Sequence, residues 1–251
     1  MDRSLIQRAR TAILTGATGG TGEVIAHALA AEGYRLLLTD TDPSTLTSLA
    51  NGISGDVRIL SVDLREPDAP ARLLEAAVDS WGQVDALVHT AAVLRRQPIE
   101  EVSEGDWDYQ HHVNLRATFF LARAVAVHMR ERAVPGNVVL FASQSFWTGG
   151  YGDSVVYATT KGGLVTMTRG LARAFGSAGI TVNAIAPGLV RTPMLLDQSA
   201  QSDIDAVVAA TPLGRVAEPA DLVGPTLFLA GLDSKFVTGT VLNVSGGWLN
   251  Y

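Results

Sequence analysis

Cysteine is absent from this chain of 251 residues, which excludes disulfides, thiolate nucleophiles and cysteine metal sites. Charged residues are sparse at 18%, and the net charge of −6 comes without any block of like charge. That balance argues against nucleic acid or an anionic membrane surface as a main partner. Long apolar runs are missing as well. Residues 1–10 hold no apolar core of signal-peptide length. The most apolar late stretch, 222–232, is short and contains Pro225, so it is not expected to span a bilayer. A cytoplasmic protein touching neither nucleic acid nor membrane is the expectation. Pro/Ser-rich linkers, low-complexity tracts and solenoid periods are also lacking, so 1–251 reads as one domain. No metal site is indicated.

What is present points to an α/β sheet protein. Aromatics make up only 6%, against 47% hydrophobic residues and 25 glycines. Short apolar runs at 11–15, 35–39, 57–62, 86–90, 137–141, 181–185 and 240–244 read as strands. Amphipathic segments at 22–31, 69–81, 103–132, 154–177 and 219–229 alternate with them, and Ser103 with Asp106 forms a capping start for the third. Such alternation implies right-handed βαβ crossovers. The predicted fold is a Rossmann-like doubly wound sandwich, with a seven-stranded, mostly parallel sheet covered by helices on both faces. The stretch 193–212 shows no clear element and reads either as a mobile lid over a site or as an ordinary surface helix pair.

Three features carry chemistry. Thr15-Gly-Ala-Thr-Gly-Gly-Thr-Gly22 follows the first strand and opens the first helix. Gly16, Gly20 and Gly22, with Thr18 and Thr21 between them, suit a tight turn that lets a pyrophosphate approach a helix N-terminus. Asp40 closes the second strand, where a carboxylate accepts from adenosine ribose hydroxyls and repels a 2′-phosphate. Thr39, Thr41 and Asp42 beside it offer no cation for that phosphate, so NAD (NADH) is favoured over NADP. Tyr157 and Lys161 stand at i and i+4, on one helix face. A cation near a phenol favours its anion, which suits proton exchange with an alcohol or ketone.

In combination these motifs resemble the short-chain dehydrogenase/reductase family, in its single-domain branch, over essentially the whole chain. The resemblance rests on the 15–22 loop, Asp63-Leu64, Asn114, Ser143, Tyr157-x-x-x-Lys161 and Asn183-Ala-Ile-Ala-Pro-Gly-Leu-Val-Arg-Thr192. It implies Tyr157 as general acid/base, with Lys161 lowering its pKa and binding the nicotinamide ribose. Ser143 would hydrogen-bond the reacting oxygen, and Asn114 would hold a water linking Lys161 to solvent. Asp63 would take the adenine amino group beside Leu64 and Ala91. Pro187 and Gly188 would turn the chain at the nicotinamide, with Val190 and Thr192 anchoring its carboxamide.

Three departures stand out. His89-Thr-Ala-Ala92 replaces the usual Asn-Asn-Ala-Gly, with His89 read as a packed strand-end residue. Ser143 precedes Tyr157 by 14 residues rather than the common 13, leaving Ser145 as a rival. Ser245 replaces a frequent aspartate. Val93, Gln144, Ser145, Trp147 and Tyr151 are expected to line the substrate cleft. Aromatics there suit a cyclic or aryl ketone, while Gln144, Arg95 and Arg96 suit polyol hydroxyls or a carboxylate. A homotetramer is implied, built on helices 103–132 and 154–177, with the apolar segment 248–251 at another interface. The expected activity is NAD-dependent interconversion of a secondary alcohol and a ketone. The alternatives are a 3-oxoacyl-thioester (acyl-carrier-protein) reductase and a non-catalytic dinucleotide-binding scaffold.

Overall fold

The computed structural model describes residues 8–197 and 199–249. Gln198 in the expected lid, and Asn250 and Tyr251 in the expected C-terminal contact, lie outside them. The described residues form one sheet of seven strands: β1 (Thr11–Thr15), β2 (Arg35–Thr39), β3 (Val57–Ile59), β4 (Ala86–His89), β5 (Gly136–Phe141), β6 (Ile180–Pro187) and β7 (Val241–Val244). Their order is β3-β2-β1-β4-β5-β6-β7, with every neighbouring pair parallel.

Strand alternation divides the core into two layers. Ile13, Leu37, Leu87, Val138, Leu140 and Val182 point to one face, where they meet Leu73, Leu121, Val125 and Leu164. Their neighbours Ala12, Leu14, Leu36, Leu38, Val88 and Val139 point to the other, against Ile25, Leu29, Leu46 and Leu229. Both sets are buried because helices cover each face, as an all-parallel sheet requires. The helices are α1 (Gly20–Ala31), α2 (Pro43–Asn51), α3 (Ala69–Trp81), α4 (Glu104–His111), α5 (Thr118–Glu131), α6 (Ser145–Thr148), α7 (Val155–Phe175), α8 (Pro193–Leu196), α9 (Gln201–Ala210) and α10 (Val223–Ala230).

Several elements differ from expectation for identifiable reasons. The expected helix 103–132 begins as predicted, with Ser103 and Asp106 forming a reciprocal capping box. It is interrupted by a π turn, His112–Ala117, which presents Val113, Asn114 and Ala117 inward. α2 carries only a short apolar stripe, with Leu46 buried and Leu49 packed partly exposed beside it; Asp42 caps it by accepting from the Ser44 N–H, with Pro43 in its first turn. β3 ends early, yet the Leu60 and Val62 amides still donate to Leu38 and Asp40 carbonyls, at 3.0 Å each. The stretch 193–212 carries the short helices α8 and α9, held by a small cluster of Leu195, Ile204 and Val216. Among the described residues, no helix is long and apolar enough to cross a membrane.

Candidate active site

The carboxyl ends of the strands open into one cleft of about 870 Å³. It lies where the sheet order reverses beside β1, the position at which doubly wound sheets bind ligands. Register brings Thr15 opposite both Thr39 and His89, so the glycine loop, Asp40 and the loop after β4 meet there.

The glycine loop is shaped by close packing. Gly16 has φ +66°, and a Cβ there would sit 2.7 Å from the Ala91 nitrogen. At Gly22 a Cβ would lie 2.0 Å from the Gly16 carbonyl oxygen, so helix α1 and the loop approach only because both residues are glycine. The first turn of α1 has no side-chain cap, and its amides form the kind of terminus that accepts phosphate. Thr18 and Thr21 line the cleft beside it, and a Cβ on Gly20 would lie 3.2 Å from Thr192 on the opposite wall. Pro187, Gly188 and Val190 continue that wall.

Asp40 is held at the lip. One carboxylate oxygen accepts from the Thr18 amide at 3.1 Å and its hydroxyl at 2.6 Å, and the other accepts from the Thr41 amide at 2.8 Å. Asp63 is already engaged, since the Arg65 Nε donates to both its oxygens at 3.0 and 2.9 Å. That guanidinium holds the Asp63 carboxyl below the usual range, and Arg65 is a cleft residue that motif reading missed. Leu64 and Ala91 line the cleft nearby.

At the far end, β5 delivers Ser143 and α7 delivers Tyr157 and Lys161 to the same cavity. Desolvation pushes the phenol of half-buried Tyr157 up to about 12, opposed by hydrogen bonding from Ser143 and by the Arg96 charge. Burial pushes the Lys161 amine down to about 7. Its Nζ donates to the Phe141 carbonyl at 2.6 Å and lies 5.5 Å from the Tyr157 ring centroid.

Asn114 does not face the cleft freely. Its amide pairs with the Val93 backbone through two 2.8 Å hydrogen bonds and also donates to Thr160. Its main-chain carbonyl accepts from the Thr118 hydroxyl at 2.8 Å. The same hydroxyl lies 2.9 Å from His89 Nε2, and Thr15 Oγ1 lies 2.8 Å from His89 Nδ1. Because Thr118 donates to Asn114, Nε2 must carry the imidazole proton and Nδ1 must accept from Thr15. Burial, with the Lys161 charge, pushes His89 down to about 3, so it stays neutral. His89 is thus a buried strand-end residue, but one wired between two threonines. Its partner Thr118 carries no motif signal.

The expected substrate residues divide. Val93, Ser145 and Tyr151 line the cleft, with the Tyr151 ring 6.0 Å from that of Trp248. Gln144 also lines it, but its amide donates to the Ala186 carbonyl and the Asn243 side chain, tying β6 to β7. Trp147 lies outside the lining and is 58% exposed, because the single turn of α6 carries it outward. Among the described residues no acidic or histidine cluster could hold a metal ion.

A family model described as enoyl-(acyl carrier protein) reductase matches residues 16–249. The (2S)-[(R)-hydroxy(phenyl)methyl]succinyl-CoA dehydrogenase subunit BbsD of Thauera aromatica is 38% identical over 241 residues, covering 95% of this chain and 96% of its own. The 2-dehydro-3-deoxy-D-gluconate 5-dehydrogenase of Escherichia coli (strain K12) is 33% identical, over 96% and 95% of the two chains. A solved short-chain dehydrogenase/reductase, a glucose/ribitol dehydrogenase from Brucella melitensis, superposes with a TM-score of 0.90 at 30% identity, covering 96% of this chain and 97% of its own.

Proposed function

Because the chain belongs to the short-chain dehydrogenase/reductase family, we propose that it is an NAD-dependent oxidoreductase interconverting a secondary alcohol and a ketone. One observation carries this reading: Ser143, Tyr157 and Lys161 share a single cleft with an uncapped, glycine-lined helix terminus and Asp40. The cradle suits a dinucleotide, since Gly16, Thr18, Gly20 and Gly22 line it at the uncapped start of α1, where free amides meet phosphate. The nicotinamide, when bound, supplies hydride transfer.

The chain's own groups do the rest. Tyr157 takes the alcohol proton or returns it to the ketone oxygen, and Ser143 hydrogen-bonds that oxygen as charge develops on it. Lys161 and the Asn114 turn behind it move the proton onward. Lys161 also donates to ribose hydroxyls, which favours its charged form and so the Tyr157 phenolate. Asp40, fixed by Thr18 and Thr41, accepts from the adenosine ribose and disfavours a 2′-phosphate. Gly188, Val190 and Thr192 face the nicotinamide, and Leu64 and Ala91 the adenosine, with Asp63 reaching the adenine once Arg65 yields. α8 and α9 form a lid that moves over the substrate. We place the enzyme in the cytoplasm as a homotetramer, with the exposed Trp107 and Phe119 of α4 and α5 facing a second copy.

A thioester substrate is the second reading, favoured by the description of the matched family model and by the CoA-linked relative. The test is a panel of secondary alcohols, polyols, cyclic diols and 3-hydroxyacyl thioesters with NAD and with NADP, read by absorbance of the reduced cofactor. Tyr157→Phe is expected to abolish turnover while NADH binding persists; activity retained in that variant would sink the mechanism.

A further inference from the structure

The ionised groups lining the cleft are unevenly distributed. Its two carboxylates, Asp40 and Asp63, both lie at the dinucleotide end, one held by Thr18 and the other paired with Arg65. Around Ser143 and Tyr157 the lining holds no acid. It is formed by apolar groups such as Leu94, Met194, Leu195 and Trp248, by the hydroxyls of Ser145, Thr148 and Ser154, and by two cations, the buried Lys161 behind Tyr157 and the Arg96 guanidinium.

Arg96 differs from its neighbour. Arg95 pairs with Asp106 at 2.7 Å, whereas Arg96 forms no salt bridge among the described residues. Asp203, beyond the Gly152 turn, faces the same region without pairing with it. The Arg96 Nη1 donates to the carbonyls of Tyr151 and Gly152 at 2.6 Å each, which fixes the plane of the guanidinium. Nη2 reaches only Ser199 Oγ, at a long 3.3 Å, and Nε is buried with no partner at all. A buried donor on a cation is expensive to leave unpaired, and such groups in a folded protein call for an explanation. Nε and Nη2 form one straight edge of the guanidinium, the edge that grips a carboxylate through two parallel hydrogen bonds.

We propose that Arg96 binds a carboxylate of the substrate side-on through Nε and Nη2, so that the enzyme acts on a hydroxy acid and its oxo acid. The proposal rests on the reading of Tyr157 as acid/base. The carboxylate takes no part in the bond changes: the alcohol gives its proton to Tyr157 and its hydride to oxidised NAD, and the acid end stays ionised throughout. Ser199, carried between α8 and α9, yields its weak contact to the incoming oxygen.

The experiment compares matched substrates that differ only at the acid, such as an aldonate against the corresponding alditol and a 3-hydroxy acid against its amide. In the unaltered enzyme kcat/KM is expected to favour the acid by on the order of 10²-fold. In Arg96→Gln that ratio is expected to fall to near unity, with Arg96→Lys between, because the ammonium keeps the charge but not the fork. Loosening of the 151–152 turn would slow both members of a pair alike, so a preserved ratio overturns the assignment. Neutral alcohols turned over as well as acids by the unaltered enzyme would also overturn it while leaving the oxidoreductase reading intact. Should no alcohol be turned over, that reading fails, and calorimetric binding of 2-oxo and 3-oxo acids decides the Arg96 assignment alone. Binding lost in Arg96→Gln supports it, and no binding by the unaltered protein refutes it.

Discussion

His89 offers a quantitative check on the buried wiring of the site. Burial lowers its pKa from the usual 6.5 to about 3, so the folded chain binds fewer protons than the unfolded chain between those values. Stability contributed by neutral His89 is therefore complete above about pH 6.5 and falls on acidification by about 1.4 kcal/mol per pH unit. The full loss is about 5 kcal/mol, reached only near pH 3. His89→Gln removes the titration and retains one hydrogen-bonding arm toward Thr15 or Thr118. In neutral solution the variant should be less stable by about 1–2 kcal/mol, one buried hydrogen bond. At about pH 5 protonation of the unfolded chain lowers the stability of the unaltered protein by about 2 kcal/mol, so the two stabilities should cross there. Urea denaturation of both proteins, from about pH 7.5 to 4.5, measures the gap, and titrations common to both cancel in the difference. A gap that stays constant across that range would mean that His89 takes a proton in the fold as easily as outside it. The neutral Thr15–His89–Thr118 chain would then be wrong.

Two further outcomes follow from the dinucleotide end. Gly22→Ala drives a methyl toward the Gly16 carbonyl, where its carbon would sit at 2.0 Å; we expect a loss of about 1–3 kcal/mol in stability and at least a tenfold weaker NADH binding by fluorescence titration, on the order of 1.4 kcal/mol. Wild-type affinity in a folded variant would show that the loop does not hold the cofactor. Asp40→Ser removes the carboxylate that Thr18 and Thr41 orient, and the NADP-to-NAD ratio of kcat/KM should rise on the order of 10-fold or more; an unchanged ratio would remove Asp40 as the selector.

Much of the fold was legible because an all-parallel sheet writes itself as short apolar runs. α3 was readable to the residue, since Ala69, Leu73 and Ala77 keep a helical period and Gly82 stops it in a left-handed conformation. α2 was not, because in a Ser/Thr-rich surface helix of 9 residues only Leu46, Leu49 and Ala50 mark a face, too short a pattern to stand out. The π turn escaped for another reason: no glycine or proline between 106 and 132 marks the extra residue. At the site, the glycine loop, Asp40, Tyr157 and Lys161 were found by position and spacing and Ser143 through the family resemblance, and the cleft lining includes them all. Directions were harder. Trp147 and Gln144 sit next to Ser143 in sequence, yet one points outward and the other bridges β6 and β7. The partners of His89 come from β1 and α5, which only strand register and helix packing bring together.

An α-helix turns about 100° per residue, so a π turn, which holds one residue more per turn, shifts the phase of everything beyond it. The residues 112–117 therefore act as a joint between two independent angular settings. α5 keeps Leu121, Val125 and Met129 locked in the core, while α4 takes its orientation from the capping box at Ser103. Asn114 sits at the joint, aimed by neither helix alone. Its placement depends on a count of residues as well as on its bonds to Val93 and Thr160, so adding or removing one residue within 112–117 would turn it away from both.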